Sequence, residues 1–239
     1  MKNYWLERTE LLLGYEGVEK LKSSNVLVVG LGGVGAAAAE MIARAGVGKM
    51  TIVDGDVIDP TNINRQLPAV HSKIGEQKAK IVGNKLIDIN PELELTVIPD
   101  YIPEEGMPLL VTPHYDYVVD AIDTLSPKVE LIYHTFTSGK KLVSSLGAGG
   151  RFDPTKITVS DIKKSYNCPL GRYLRKHLHR RNINKGFKVV FSSEKVIENA
   201  VREEIGRNKR STVGTISYMP PLFGAVCASV VIRDLVGLP

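Results

Sequence analysis

A chain of 239 residues with 43% hydrophobic residues allows one large α/β domain plus an appendage, with enough apolar side chains to fill its core. Its two cysteines, Cys168 and Cys227, are too few and too far apart for a disulfide framework or a CxxC-based zinc site, which points to the cytosol. The opening residues Met1 to Arg8 meet charge before any apolar stretch develops, which excludes a secretory signal. Near the other end, Met219 to Ile232 is an apolar run of 14 residues that begins with two prolines. That is short of the ~20 residues a membrane span needs, so the run predicts a buried helix and no membrane insertion.

Taken in order, strands are predicted near residues 26 to 30, 50 to 53, 93 to 98, 116 to 121 and 141 to 146. Helices fit between them: Ala36 to Ala45, Glu76 to Ile89 (stopped by Asn90-Pro91) and Pro127 to Thr137. The alternation predicts an α/β fold with a Rossmann-like, doubly wound and mainly parallel sheet, complete by about residue 150. Residues 1–150 would then be the nucleotide-binding part and 151–239 a C-terminal α+β appendage. The appendage reads as a strand at Ile157-Thr158-Val159, a basic helix from Leu170 to Arg181, a strand from Phe187 to Phe191 and the C-terminal helix. Residues 194 to 212 are charged and aperiodic, which predicts a mobile loop.

The run Val26-Leu27-Val28-Val29-Gly30-Leu31-Gly32-Gly33-Val34-Gly35 carries an apolar strand into a glycine turn and then into an alanine-rich helix. Gly30 lets the chain turn, Gly32 puts no side chain between backbone and phosphate, and Gly35 permits close helix-strand packing; the main chain from Gly30 to Gly35, Gly33 included, can cradle phosphate at the helix start. A second strand ends in Asp54, 24 residues after Gly30, close to the spacing of an acid that holds a nucleotide ribose. A dehydrogenase is the default reading of such an opening. The residues that follow argue otherwise. Asp56, Asn62, Asn64, Arg65 and Gln66, then Lys78, then Asp123 supply what a triphosphate needs: cations for phosphates, amides for base or ribose, and a carboxylate for magnesium.

Arg8, the glycine turn, Asp54, Asn62, Arg65-Gln66, Lys78 and Asp123, as an ordered set over residues 5 to 150, resemble the ATP site of the ubiquitin-activating-enzyme-like adenylyltransferases. Three further stretches, Ser144 to Pro154, Asn167-Cys168-Pro169-Leu170 and Gly214 to Pro221, resemble one branch of that superfamily, the tRNA threonylcarbamoyladenosine dehydratases. The resemblance implies adenylation of the threonyl carboxylate on a modified adenosine beside the tRNA anticodon, then ring closure with loss of AMP. It implies ATP and Mg2+ as cofactors, with Asp123 holding the metal and Lys78 and Arg65 neutralising charge as pyrophosphate leaves. Asp54 would hold the ribose, and Asn62 and Gln66 would orient nucleotide and phosphates. Asp56 and Asn64 would join the nucleotide site or simply cap the turn. Arg8 would reach the ATP of an opposite subunit in a homodimer, or else is a surface arginine.

Charge placement is independent of that resemblance. From Ile162 to Ser193 there are nine Lys or Arg and no Asp or Glu, and the rest of the chain is acidic, with 22 basic against 26 acidic residues. Lys163, Lys164, Arg172, Arg175, Lys176, Arg180 and Arg181 thus read as an RNA-phosphate contact, with Tyr166, Tyr173, His177 and His179 available to stack on splayed bases. The other reading is a solvated basic helix. Cys168 is open to two readings: a nucleophile, which would bring a sulfur-transfer protein as partner, or a residue that packs the start of the helix or touches RNA. The rival functions are activation of the C-terminal glycine of a ubiquitin-like sulfur carrier, NAD-dependent oxidoreduction, and an idle nucleotide-binding scaffold. The absence of any CxxC pair counts against the first, and Arg65, Lys78 and Asp123 would lack a purpose in the second.

Overall fold

The computed structural model describes residues 4–112, 114–203 and 211–239. The chain starts with α1 (Glu7–Ser23), broken at Gly14, whose φ of 73° interrupts the helix. There follow β1 (Asn25–Val29), α2 (Gly35–Arg44), β2 (Lys49–Val53), α3 (Lys78–Ile89), β3 (Glu94–Ile98), α4 (Met107–Val111), β4 (Tyr117–Asp120), α5 (Leu125–Thr137) and β5 (Lys141–Ser145). The second part adds β6 (Ile157–Asp161), α6 (Pro169–His179), β7 (Lys188–Ser192), β8 (Val201–Glu203), β9 (Ser211–Val213) and α7 (Met219–Val236).

Seven strands form one sheet in the order β3-β2-β1-β4-β5-β7-β6. Every pairing is parallel except β6 with β7. Because the winding reverses between β1 and β4, a crevice opens beyond the carboxyl ends of those two strands, where ligands of open α/β sheets bind. Alternate residues of each strand face opposite layers. Val26 and Val28 of β1 point into a core shared with α2 and α7, whereas Leu27 and Val29 point into a second core under α4, α5 and α6.

The sheet is not complete at residue 150. β7 pairs in parallel with β5, Val143 opposite Lys188 and Ser145 opposite Val190, and β6 then closes the edge. The reason is legible in β7 itself: Val189, Val190 and Phe191 are all buried, so both faces of the strand are apolar and it belongs inside a sheet, not in an appendage. The segment 194 to 212, expected to be a mobile loop, holds β8 and the first two residues of β9, which pair antiparallel with Arg202 opposite Thr212; residues 204–210 of it lie outside the described residues.

α7 runs for 18 residues, longer than expected, and is long and apolar enough to cross a membrane by length and composition alone. Its packing says otherwise. Phe223, Cys227, Ala228, Val230 and Val231 are buried in the core, and a Cβ on Gly224 would lie 2.2 Å from the Val34 carbonyl oxygen, so α7 is pressed against the start of α2. Two helices had no periodic signature in the sequence. α1 leaves Leu11 and Leu12 more than 80% exposed while burying Val18 and Leu21, and α4 has only five residues.

α6 is fixed to α5 by a bidentate ion pair in which Arg181 donates to both oxygens of Glu130, one at 2.7 Å, and lies over the Tyr133 ring at 4.7 Å. The guanidinium holds the Glu130 carboxyl below its ordinary value of 4.5. A lowered folded-state value means that the contribution is whole above 4.5 and disappears as pH falls through the lowered value. Arg181→Ala is therefore expected to cost about 1 kcal/mol at neutral pH, given that Arg181 is partly in solvent. Urea titrations from pH 7 to pH 3 should show the gap between variant and wild type closing below pH 4.5.

Candidate active site

The glycine turn sits at the crevice between β1 and β4. Gly30 has a φ of 87° and donates its N–H to the Val53 carbonyl at 2.8 Å. A Cβ on Gly35 would lie 1.7 Å from the Gly30 carbonyl oxygen, and one on Gly33 would lie 2.7 Å from the Arg65 carbonyl oxygen and from Pro220. These three glycines are required by the protein's own packing. Gly32 is different: the nearest atoms to a Cβ there are Nε2 and Cδ of Gln66, at 3.7 and 3.9 Å. Gln66 is itself buried, and its Oε1 has no hydrogen-bond donor. The atom nearest that open face is the Gln66 amide nitrogen, a donor that a nucleotide or phosphate oxygen can meet, so the cradle fits ATP.

Asp54, at the end of β2, accepts from the Leu31 N–H at 2.5 Å and from the Asp56 N–H at 2.8 Å. It thereby pins the glycine turn to its neighbouring strand and keeps acceptor capacity for a ribose. Burial raises its pKa, partly offset by those two N–H donors. Lys78, 4% exposed at the start of α3, is paired with Asp56 at 2.8 Å and donates its backbone N–H to the Asp56 carbonyl at 3.0 Å. Tyr101, which sequence reasoning did not single out, donates its hydroxyl to the other Asp56 oxygen; that bond, with burial second, pushes the phenol up to about 12. Asp56 thus holds the lysine in place.

Asn62 is buried and accepts from the Asp59 N–H at 3.2 Å, closing a capping box. Asn64 reaches the Thr215 carbonyl at 3.0 Å, and Arg65 folds back on the Thr61 carbonyl at 2.6 Å and on Asn64 at 3.0 Å. Asp123 is exposed just past β4, near enough to Tyr101 to raise its pKa. Among the described residues no three His, Cys, Asp or Glu cluster to hold a metal, so a magnesium here would take Asp123 from the protein and the rest of its oxygens from phosphates and water.

Beneath Asp123 lies an arrangement that the sequence reading missed. Lys128, fully buried on α5, pairs with Asp120 at 2.7 Å and donates to the carbonyls of Ile122 at 2.9 Å and Ser145 at 2.8 Å. Asp120 in turn accepts from Ser144 at 2.6 Å and from the Ile122 N–H at 3.1 Å. The signal available was an acid at the end of a strand and a lysine in the first turn of the next helix.

The other predicted residues lie elsewhere. Arg8 is exposed on the first turn of α1. Lys163, Lys164, Arg172, Lys176 and Arg180 are exposed on and around α6, and no carboxylate among the described residues lies within ion-pair distance of them. Arg175 is half-buried and donates to Ser165 Oγ at 2.5 Å, whereas Arg181 is taken up by Glu130. Cys168 is buried as the N-cap of α6, its Sγ accepting from the Gly171 N–H at 3.4 Å. Arg151, also missed, is 3% exposed and clasps three carbonyls, Gly147 at 2.5 Å, Gly149 at 3.0 Å and Asn167 at 2.9 Å, tying the turn after β5 to the residues before α6.

Comparison with known proteins places these features in a family. The ThiF family model matches residues 6–239. The tRNA threonylcarbamoyladenosine dehydratase of Bacillus subtilis is 38% identical over 95% of this chain and 93% of its own. The solved Escherichia coli tRNA N6-threonylcarbamoyladenosine dehydratase in complex with ATP superposes with a TM-score of 0.90 at 32% identity, covering 99% of this chain and 97% of that one. The molybdopterin-synthase adenylyltransferase of Salmonella typhimurium is 32% identical over 64% of this chain and 61% of its own.

The glycines separate folding from binding. Gly35→Ala is expected to prevent folding, since no relaxation short of moving β1 from α2 makes room for its Cβ. Gly32→Ala should melt within a few degrees of wild type yet bind nucleotide at least about tenfold more weakly, the loss expected for one displaced charge-assisted contact. Isothermal titration with a non-hydrolysable ATP analogue, beside a thermal melt, reads both.

Proposed function

The chain belongs to the ThiF family, and from that premise we propose that it is an ATP-dependent tRNA threonylcarbamoyladenosine dehydratase. The observation that carries this reading is the cradle of Gly32 and Gln66 beside Lys78, in a chain similar over almost its whole length to dehydratases of that name. The substrate carboxylate is a poor electrophile at neutral pH. Its oxygen attacks the α-phosphorus of ATP, the bond to pyrophosphate breaks, and a mixed anhydride with AMP results. The carbamoyl group of the same substrate then attacks the activated carbonyl carbon, loses a proton and expels AMP, which carries away the carboxylate oxygen. Well-oriented intramolecular attack of this kind gains effective molarities on the order of 10⁵ to 10⁸ M, so no enzyme nucleophile is needed.

Each residue has a task in that sequence. The N–H groups at the start of α2 and the open face of Gly32 receive phosphate. Lys78, kept in place by Asp56, neutralises charge on the departing pyrophosphate, and Arg65 swings from its own loop to do the same. Asp54 meets the ribose; Asn62, Asn64 and Gln66 shape the nucleotide site. Asp123 would hold Mg2+, which when bound screens the phosphate oxygens. Arg8 would complete the site from a second copy of the chain in a homodimer, a reading supported by the exposed Leu11, Leu12 and Tyr15 on the same helix. Residues 1–150 would supply the nucleotide side and 151–239 the tRNA side, in the cytoplasm.

Two outcomes test this. Lys78→Ala and Asp123→Ala should each lower AMP formation on threonylcarbamoyl-modified tRNA by 100-fold or more, on the scale of a lost transition-state contact, with melting temperatures close to wild type. Near-normal turnover in either removes the catalytic assignment. Cys168→Ala should keep activity within about fivefold, because it loses one weak cap and a small buried packing contact but no reacting atom; a trapped thioester in the wild type would instead favour the sulfur-carrier reaction.

A further inference from the structure

A cleft of about 360 Å³ lies between the turn before α6, the start of that helix and the strand-exit residues Lys195 and Val196. Tyr166, Asn167, Cys168, Arg172, Arg175 and Lys195 line it. Beside it a larger groove of about 730 Å³ is walled by Lys163, Lys176 and Arg180. Arg175 lines both. Among the described residues no carboxylate lines either one.

The small cleft is built, not incidental. Asn167 has a φ of 52°, in the left-handed region that asparagine enters more readily than other residues with a side chain. Two contacts hold it: Arg151 donates to its carbonyl at 2.9 Å, and its own amide donates to the Ser193 carbonyl at 2.7 Å. Tyr166 stands next to it, 51% exposed, its ring seated edge-on against Phe191 at a centroid distance of 5.4 Å. The ring is thus fixed in place while half its surface stays open.

An aromatic face, two arginines and a volume in the ~300–1,000 Å³ range of small-molecule sites describe a pocket for one nucleoside and its phosphate. The shared Arg175 joins that pocket to a groove with the charge of a polyanion track. We propose that the cleft receives the target nucleotide splayed out of the RNA loop, with its base stacked on Tyr166 and its flanking phosphate on Arg172 and Arg175, while the adjoining backbone follows the larger groove. This rests on the tRNA reading above and names the part of the protein that selects the modified nucleotide.

The test is steady-state cyclisation of threonylcarbamoyl-modified tRNA, alongside equilibrium binding of the same tRNA without the modification. Tyr166→Leu keeps apolar bulk over Phe191 and removes the aromatic face. Its kcat/KM should fall by about 5- to 150-fold, the range of one lost base stack, and the affinity for unmodified tRNA, which carries the same base, should fall with it while the KM for ATP stays unchanged. Tyr166→Phe should stay within about threefold of wild type, since it keeps the face. If the leucine variant melts early, exposed Arg172→Ala serves instead, and should lose about tenfold on modified and unmodified tRNA alike, with the KM for ATP unchanged. Wild-type kcat/KM in both variants, or as large a loss in Tyr166→Phe as in Tyr166→Leu, overturns the pocket while leaving the dehydratase reading intact. Failure of the wild-type protein to form any cyclised product removes that reading, and the pocket with it.

Discussion

The buried pair of Asp120 and Lys128 is the constraint on which the catalytic end of the sheet depends. Two charges withdrawn from water are tolerable only if every donor and acceptor is met. Here they are: the lysine gives its three protons to Asp120 and to the carbonyls of Ile122 and Ser145, and the carboxylate takes two more bonds from Ser144 and the Ile122 N–H. The result joins β4, β5 and α5 at one point and fixes the path of residues 121 to 123. Removing one partner of such a pair costs about 3–5 kcal/mol, because the other is left charged and unmet. Asp123 can stand in solvent and still be well placed, since the chain beneath it has one allowed course.

Around that point the protein divides its charges by task. Asp54 and Asp56 spend their oxygens on backbone N–H groups, Tyr101 and Lys78, so the acids nearest the glycine turn set geometry before they meet any ligand. In the basic segment the division runs the other way. Arg181 and Lys188 are neutralised by Glu130 and Asp234, and so anchor α6 and β7, while the cations bordering the two grooves have no acid in ion-pair reach among the described residues. A stretch that looks uniform in composition is therefore part scaffold and part surface.

The five strands of the first half and the three longer helices between them, α2, α3 and α5, were legible because apolar runs, glycine turns and stop signals coincide there. In the glycine turn the reasons for Gly30 and Gly35 were legible, while the seat of Gly33 against Arg65 and Pro220 depends on segments distant in the chain. Three things were not. β7 joins β5 across more than forty residues of intervening chain, a pairing set by two apolar faces meeting in space and not by any local pattern. α1 is read poorly because its second turn shows leucines to solvent, against the periodicity of a helix packed on its own domain. The polar partners of Tyr101, Lys128 and Arg151 come from distant segments, so their residue types alone could not announce their roles. At the site, the sequence named the groups that carry charge; which of them the fold keeps occupied, as with Asp56 on Lys78, emerges only from distances.

The tight seat of Gly224 on α2 has a consequence for how the molecule comes into being. The helix that presents its amino end to phosphate is made early, yet the face of it that α7 covers stays bare until residues near 219 to 231 have been synthesised. Domains ordinarily consolidate from the amino end as they leave the ribosome. This one cannot, since closing its first core needs a contact between segments almost two hundred residues apart, the kind of long-range closure that slows folding. A nascent chain stalled before α7 already holds all seven strands of the sheet, yet the alanine-rich face of α2 that α7 covers is still open to water.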